Sequence, residues 1–213
     1  MYALYPNENR CSPIAHCLMD SLDWHRVAYA EFAFATVMLI IVPLALLLAS
    51  VKRPDVRKRM LAYWRAAALL GITVYLWIAE MTLGFVTSVA ARAIIPLVLW
   101  RGDIGALWTN PLPKPTSWQA RVYRAWWYFV VVYSVAGLLS MLPLLSCAVT
   151  GDASAACQAW YGPPQAYSAL LHDVADPWLL GRWALAALSL YALYLMATMY
   201  RLRQRMPSEM PSS

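Results

Sequence analysis

Charged residues are scarce in this chain of 213 residues: 13% are Asp, Glu, Lys or Arg, whereas 62% are hydrophobic. Soluble globular domains carry about 25% charged residues, so this composition argues against a soluble protein and predicts long membrane-embedded segments. The formal net charge of +6 does not indicate a nucleic-acid-binding protein, because in a membrane protein the position of the basic residues matters more than their sum. We therefore expect membrane lipids, and no nucleic acid, among its partners.

Sequence motifs for catalysis are also missing. The chain contains no P-loop, no glycine-rich dinucleotide turn, no H-E-x-x-H zinc motif and no serine nucleophile elbow, each of which would mark a specific chemistry. No internal repeat of the transporter kind is visible, and residues 1–26 lack the apolar core of a cleavable signal peptide. Since no reaction is indicated, we expect a protein that is not an enzyme.

The chain does contain long apolar runs, which predict an all-α integral membrane protein. A helix needs about 20 apolar residues to cross the hydrocarbon core. The segment 61–100 is twice that length, so it forms either two spans or one span followed by a re-entrant segment; a turn would fall at "EMTLG", where Gly84 is the one helix breaker. With two spans there, the predicted organisation is an outer segment 1–26, spans 27–51, 61–81, 84–100, 123–148 and 178–200 within one membrane domain 27–203, an outer loop 149–177 and a cytoplasmic tail 204–213.

The basic residues favour two spans within 61–100. They gather at 52–59, 101–124 and 201–205, and Lys and Arg concentrate on the cytoplasmic side of membrane proteins. If the first two clusters lie on the same side, the chain must cross the membrane an even number of times between them. We therefore predict five spans, with the N-terminus outside and the C-terminus cytoplasmic. Four spans plus a re-entrant segment would satisfy the same condition.

Among the charged residues within these spans or their turn, Glu31, Glu80 and Arg92 are placed to form one cluster toward the outer side. Arg92 lies about 12 Å along its helix at 1.5 Å per residue, where an unpaired arginine would cost about 2.5–3.5 kcal/mol. Glu80, near the turn, and Glu31, one turn inside the first span, are both placed to neutralise it. The cluster is therefore either a structural ion pair that fixes helix packing or a polar binding or proton-relay site.

Four cysteines fall on the predicted outer side or at its edge. Cysteines on an oxidising face suggest disulfides, and four allow three connectivities; the pairs that are local in sequence are Cys11–Cys17 and Cys147–Cys157. The segment "CSPIAHC" also suggests a thiol-redox or metal site. Its C-x5-C spacing, however, is neither the C-x-x-C of thioredoxin-like enzymes nor a common zinc spacing. We favour structural disulfides or unpaired thiols and expect no metal site.

Two histidines are candidate pigment ligands. His25 stands at the outer edge of the first span and His172 in the outer loop, where a neutral imidazole would either ligate the magnesium of a chlorophyll or simply be solvated. An aromatic stripe early in the fourth predicted span fits the membrane interface and helix packing better than a chlorophyll or carotenoid pocket. That stripe comprises Trp126, Trp127, Tyr128 and Tyr133.

Four segments carry a family resemblance. They read "SLDWHRVAYAEFAFATVMLIIVPL", "YWRAAALLGITVYLWIAEMTLGFVTSVAARAIIPLVLW", "LSMLPLLSCAV" and "CQAWYGPP". Over residues 21–203 the chain resembles a family of cyanobacterial integral membrane proteins of unknown function; residues 1–20 lie outside the resemblance. The resemblance implies the thylakoid or plasma membrane of a photosynthetic bacterium, and it implies no activity.

Three functions follow as hypotheses. The family context and the absence of a chemical motif favour a non-catalytic accessory subunit or assembly factor of a larger photosynthetic or respiratory complex. The alternative is a small transporter or lipid-handling protein that uses the cluster of Glu31, Glu80 and Arg92. The third is an outer-face thiol oxidoreductase.

Overall fold

The computed structural model describes residues 23–102, 112–114, 116–150, 154–172 and 174–205. Within these residues the chain is helical and contains no strand. Among the described helices, five are long and apolar enough to cross a membrane, which confirms the predicted all-α membrane architecture and divides the segment 61–100 between two separate helices. These helices are α1 (Trp24–Ala49), α2 (Pro54–Ile78), α3 (Leu83–Arg101), α4 (Trp118–Met141) and α8 (Pro177–Arg205).

Three short helices connect α4 to α8 and occupy much of the predicted outer loop. After a 3-10 turn at Pro143–Leu145, they are α5 (Ser146–Thr150), α6 (Ala155–Ala159) and α7 (Gly162–Leu171). They lie at the same end of the bundle as the turn between α2 and α3, and we call this the cap end. The opposite end, the basic end, carries the three basic clusters. That the cap end faces outside and the basic end faces the cytoplasm stays a prediction.

Two helix bounds differ clearly from the predicted spans. Helix α2 begins at Pro54 rather than at 61, because proline suits the first helical position and Asp55 places a negative charge at the positive helix start. Helix α4 ends at Met141 rather than at 148, because Pro143 has no N–H with which to continue the α-helical ladder. In both cases a local proline, which hydropathy does not register, sets the end of the helix.

Helix α1 contains a π-helical segment, Thr36–Ile41, shortly before Pro43. Because proline has no N–H, the Leu39 carbonyl four residues earlier loses its helical donor. The Tyr63 hydroxyl of α2 donates a hydrogen bond to this carbonyl (2.6 Å). A neighbouring helix thus satisfies the group that the proline frees, as expected inside a membrane span.

Helix α2 is the centre of the bundle. It packs along α3 on one side and along α8 on another, and its side chains Met60, Tyr63 and Leu76 are fully buried. Helix α8 contacts mainly α2, so most of its surface stays exposed. In a membrane that surface faces lipid or a partner protein.

The turn between α2 and α3 depends on Glu80 and not on Gly84. Glu80 adopts a left-handed backbone conformation with φ of 54°. Its N–H donates to the Trp77 carbonyl (3.0 Å), and the Met81 N–H donates to the Leu76 carbonyl (2.9 Å), which is the pattern of a Schellman helix end, where glycine is usual. Gly84 lies inside α3, where a Cβ would come within 2.6 Å of the Trp77 indole nitrogen. Its role is therefore close packing, not chain reversal.

Candidate functional site

The buried arginine of α3 pairs with a carboxylate of α1. Arg92 Nη2 contacts Glu31 Oε1 directly, and the two side chains are 9% and 17% exposed. Of the two partners that the sequence leaves open for Arg92, the structure selects Glu31. The two charges compensate each other, as charges withdrawn from water must.

Helix α4 holds Arg92 on two further sides. The guanidinium carbon lies 5.8 Å from the centroid of the Tyr133 ring, which is within cation–π range. Gly137, one turn along α4, leaves the space that the guanidinium fills, because a Cβ there would overlap Arg92 Nη1. The glycine therefore allows α1, α3 and α4 to meet around one arginine.

Glu80 is not part of this pair. Its Oε1 accepts a hydrogen bond from Gln165 Nε2 of α7 (2.7 Å), and its side chain is exposed at the cap end. Burial and the Glu80 carboxylate together raise the pKa of the nearby Tyr161. The structure corrects the predicted cluster of three charges to a pair, and Glu80 instead fastens the α2–α3 turn to α7.

A cavity of about 310 Å³ lies between α1 and α2, within the size range of small-molecule sites. The backbones of α1 and α2 approach each other mainly along Val42–Ala49, whereas toward the cap end α7 contacts both helices and bridges the gap between them. Apolar side chains form most of the wall, and the Glu31–Arg92 pair forms a polar point on it. The apolar wall includes Phe32, Leu39, Trp64, Val74, Trp77 and Trp160.

The cavity opens sideways toward the surface that lipid would cover. Ile40 of α1 and Ala68 and Gly71 of α2 line it and are themselves exposed. A Cβ on Gly71 would meet no atom within 4 Å, so the space in front of this glycine is open. These residues lie within apolar membrane-length helices, so in a membrane this opening faces the bilayer.

Three side chains that line the cavity have buried N–H groups without an acceptor among the described residues. They are Nε of Arg92, Nε1 of Trp64 and Nε1 of Trp160. A fourth such group, Nε1 of Trp77, lies against Gly84 of α3 and belongs to the helix interface. Each of these three nitrogen atoms has almost no accessible surface, so it lies within the cavity wall and is not open to the cavity.

The two candidate histidines differ in their surroundings. His25 is exposed near the start of α1. His172 follows α7, where its Nε2 lies 3.1 Å from the Tyr75 hydroxyl and its ring contacts those of Tyr75 and Tyr167. The part of the chain that the structure describes holds no group of three or more metal-ligating side chains. A pigment-ligand role for either histidine stays a prediction.

Cys147 and Cys157 form a disulfide that spans ten positions of sequence and joins α5 to α6. The predicted local pairing is therefore confirmed for these two cysteines. Both residues are buried, with 1% and 3% exposure, which does not suit thiol exchange because reactive cysteines need access. The other predicted pair, Cys11–Cys17, lies outside the described residues.

The predicted aromatic stripe serves mainly to pack helices. Trp126 donates its indole N–H to the Met38 carbonyl of α1 (2.9 Å), and Trp127 donates to the Leu99 carbonyl of α3 (2.9 Å). Both tryptophans are buried, so neither lies in an interfacial belt. Tyr128 is 54% exposed and is the member of these three that suits the membrane interface.

Sequence reasoning missed the cavity and three residues that shape it: Gly71 at its opening, Trp160 on its wall and Gly137 behind Arg92. The sequence feature at the cavity opening is the run of alanines before Gly71 in α2. Small residues in membrane helices more often mark close helix packing, so this signal pointed away from an opening.

Comparisons with known proteins give a family and no function. No curated protein and no solved structure matches the chain. A family model described as "Protein of unknown function (DUF3177)" matches residues 25–206, which include almost the whole of the five long helices. The resemblance to an uncharacterised family is thereby confirmed, while the cyanobacterial source stays a prediction. The chain belongs to the DUF3177 family.

Proposed function

We propose that this protein binds a lipophilic molecule in the cavity between α1 and α2 and holds or transfers it within the membrane. The observation that carries the proposal is the form of the cavity: apolar walls, a sideways opening at Ile40, Ala68 and Gly71, and a buried ion pair on the wall. A pocket that opens onto the bilayer can receive an apolar molecule without passing it through water. This is the lipid-handling function among the three hypotheses.

The Glu31–Arg92 pair gives the cavity a fixed polar point. Ligand pockets combine a mostly apolar lining with a few placed polar groups, and these polar groups fix the orientation of the ligand. Arg92 lies near the middle of the 19-residue helix α3, so the polar point is well inside the predicted membrane. The structural and the binding interpretation of this pair are therefore compatible, since one arginine serves both.

The substitution Gly71→Leu tests the proposal. A leucine there extends into open space at the cavity mouth, so it should block entry and leave helix packing intact. We expect the lipids extracted from purified wild-type protein to include a species enriched over the whole-membrane extract, and we expect Gly71→Leu to lose it. The matched control is Ala187→Leu, at an exposed position of α8 outside the cavity, which should keep it. Enrichment that persists in a stably folded Gly71→Leu protein would contradict the proposal.

A bound chlorophyll or carotenoid would be one kind of lipophilic occupant. It would give visible absorption in the purified protein, and this absorption should disappear in Gly71→Leu. Absorption that survives this substitution would place the pigment elsewhere, with His25 and His172 as the first ligands to replace.

The exposed flank of α8 supports a second candidate function, that of an accessory subunit or assembly factor of a photosynthetic or respiratory complex in a thylakoid or plasma membrane. This flank carries large apolar side chains, including Trp183, Leu190, Leu193 and Met196. Co-migration with such a complex on native gels after mild detergent extraction is the expected result. Migration only as free protein, while the complexes stay whole, would contradict this candidate.

A further inference from the structure

We infer that the cavity between α1 and α2 holds a hydrocarbon chain, acyl or prenyl, and that it selects its occupant by this chain and not by a head group. The inference rests on the proposed function and names the class of its ligand. Three features of the cavity carry it: an elongated form, a wall whose polar groups are partnered or inaccessible, and an opening that lies partway along the helices.

The cavity is elongated along the helix axes. Its lining residues recur every three or four positions along one face of α1, from Glu31 to Ile40, and along one face of α2, from Trp64 to Trp77. At 1.5 Å per residue these stretches measure about 14 Å and about 20 Å. Because the volume of about 310 Å³ is spread over this length, the passage is several times longer than it is wide. This form suits an extended chain better than a fused ring system.

Small residues of α2 form the middle of this passage. Ala67, Ala68 and Gly71 line it between the large side chains of Trp64 and Trp77. From Ala68 the wall continues nine residues toward the cap end, about 14 Å, and four residues toward the basic end, about 6 Å. The longer part is close to the thickness of one leaflet, about 15 Å or half of the hydrocarbon core. It can therefore hold most of an extended lipid chain.

The hydroxyl groups of α1 and α2 on this wall already have partners. Thr36 and Thr73 each donate to the backbone carbonyl four residues earlier, at 2.8 Å in both cases. The Tyr75 hydroxyl lies 3.1 Å from His172 Nε2. A polar ligand group would have to compete with these bonds, whereas a hydrocarbon chain leaves them intact.

The charged and indole groups of the wall are also unavailable to a head group. Glu31 and Arg92 contact each other, so their charges are compensated. The indole nitrogen atoms have almost no accessible surface in Trp64, Trp77 and Trp160. A head group buried here would lose its hydrogen bonds to water and gain few in return, which is costly. The ion pair still orients the occupant, because a chain packs against the apolar remainder of the wall.

The opening lies at a depth where the bilayer holds chains. Gly71 is seven residues, or about 10 Å, from the cap end of α2, and Ile40 is nine residues, or about 14 Å, from the basic end of α1. Polar and charged head groups stay at the membrane surface because their transfer into hydrocarbon is costly. A lipid therefore enters chain first and leaves its head group outside the cavity. A membrane lipid is then enriched on this protein because of its chain.

Tryptophan fluorescence of the purified protein in one detergent tests the inference, since bromine on a chain quenches indoles and Trp64, Trp77 and Trp160 line the cavity. Head groups are compared on one chain, with terminally brominated hexadecyl acetate, hexadecanol and hexadecyl phosphate. Chains are compared on one head group, with terminally brominated hexyl and hexadecyl acetates, brominated phytanyl acetate and, as a fused ring system, brominated cholesteryl acetate. Midpoints are expressed as mole fractions in the detergent, which removes differences in partition.

Wild-type protein should show saturable quenching by the hexadecyl probes, the phytanyl probe or both. The three hexadecyl head groups should give midpoints within about threefold of one another, less than a typical hydrogen bond contributes. The hexyl and cholesteryl acetates should bind at least about tenfold more weakly, because a short chain makes fewer contacts with the passage and a ring system does not fit it. Gly71→Leu should lose the saturable component, and the control Ala187→Leu should keep it.

The outcomes separate the two proposals. Unsaturable quenching with every probe, or saturable quenching that Gly71→Leu keeps, would overturn both. Saturable quenching that Gly71→Leu abolishes would leave the proposed function standing. The inference alone would then be overturned by midpoints that differ more than about threefold among the head groups, or by a cholesteryl midpoint as low as that of the chains. Preference for the hexadecyl or the phytanyl chain supports the inference and identifies an acyl or a prenyl source. If Gly71→Leu does not fold, Ala68→Leu at the same opening takes its place.

Discussion

Arg92 is the residue around which α1, α3 and α4 meet, and Glu31 compensates its buried charge. The attraction between two buried opposite charges offsets much of their desolvation, but a single buried charge has no such compensation. Tyr133 and Gly137 shape the space around the guanidinium without supplying a counter-charge. The Glu31–Arg92 pair therefore holds the three helices together, and removal of either residue alone should weaken their packing.

Removal of one member should cost far more stability than replacement of both. Glu31→Gln leaves Arg92 charged and unpaired, so we expect a loss of about 3–5 kcal/mol in the free energy of unfolding. The double substitution Glu31→Leu with Arg92→Met fills the same space with apolar groups and should recover most of that loss. Thermal melting in one detergent measures both. A single variant that melts like wild type would show that the pair does not hold the helices.

Glu80 has a left-handed backbone conformation that suits glycine. The hydrogen bond between its side chain and Gln165 offsets part of the conformational strain. Both Glu80→Gly and Glu80→Ala lose the hydrogen bond to Gln165. Glycine adopts a positive φ without strain, whereas alanine keeps the strain. We expect Glu80→Gly to be more stable than Glu80→Ala by about 1 kcal/mol. Gln165→Ala controls for the lost hydrogen bond. Equal melting temperatures for the glycine and alanine variants would contradict a strained turn.

Among the elements, the short helices α6 and α7 form a cap over the cavity. Helix α7 contacts both α1 and α2, and its Gln165 side chain donates a hydrogen bond to the Glu80 carboxylate. The Cys147–Cys157 disulfide ties α6 to α5 at the end of α4. The disulfide and the Glu80–Gln165 hydrogen bond therefore hold the cap in place, and the cap restricts access to the cavity from this end.

Reduction of this disulfide should loosen the cap. In a background with Cys11→Ser and Cys17→Ser, we expect reductant to lower the free energy of unfolding by about 2–3 kcal/mol, because the bond closes a short loop. Melting with and without reductant measures this difference. The control is the same background with Cys147→Ala and Cys157→Ala, which should not respond. An unchanged melting temperature after mass spectrometry has shown full reduction would contradict a structural role for the bond.

For the whole molecule, the sequence predicted five long helices, because each span is a long apolar run and basic clusters placed on one side favour an even number of crossings between 59 and 101. Four spans plus a re-entrant segment met the same condition, and the charges alone did not decide between the two. The sequence did not predict the partner of Arg92. Glu31 and Glu80 lie at suitable heights along their helices, but hydropathy does not say which way each side chain faces. Glu80 turns away because it is the left-handed residue of the turn, and this depends on the exact end of α2.

The cavity could not be predicted for a different physical reason. It exists because α1 packs against α2 mainly toward the basic end and α7 bridges the two helices at the cap end. These contacts join residues far apart in sequence, such as Tyr75 with His172. The disulfide, by contrast, was predictable, since its cysteines are close in the chain and local pairing is the simplest choice.

The orientation of the bundle is testable with single cysteines. In the background with Cys11→Ser and Cys17→Ser, the disulfide protects the remaining two thiols from maleimide. Ala169→Cys lies at the cap end and Lys114→Cys at the basic end, and both positions are exposed. Because basic residues favour the cytoplasmic side, an impermeant maleimide should label position 169 and not 114 in right-side-out vesicles. The reverse pattern would invert the predicted orientation, and labelling of both would contradict the number of crossings.

Photo-crosslinking in native membranes tests most directly whether the cavity selects a lipid. A photoreactive benzoyl-phenylalanine replaces Ala68 at the cavity mouth in one protein and Ala187 on the exposed face of α8 in another. After irradiation, mass spectrometry identifies the lipid attached at each position. We expect position 68 to carry mainly one lipid species, well above its share of the membrane, and position 187 to carry the bulk mixture. The same bulk mixture at both positions would contradict a selective cavity.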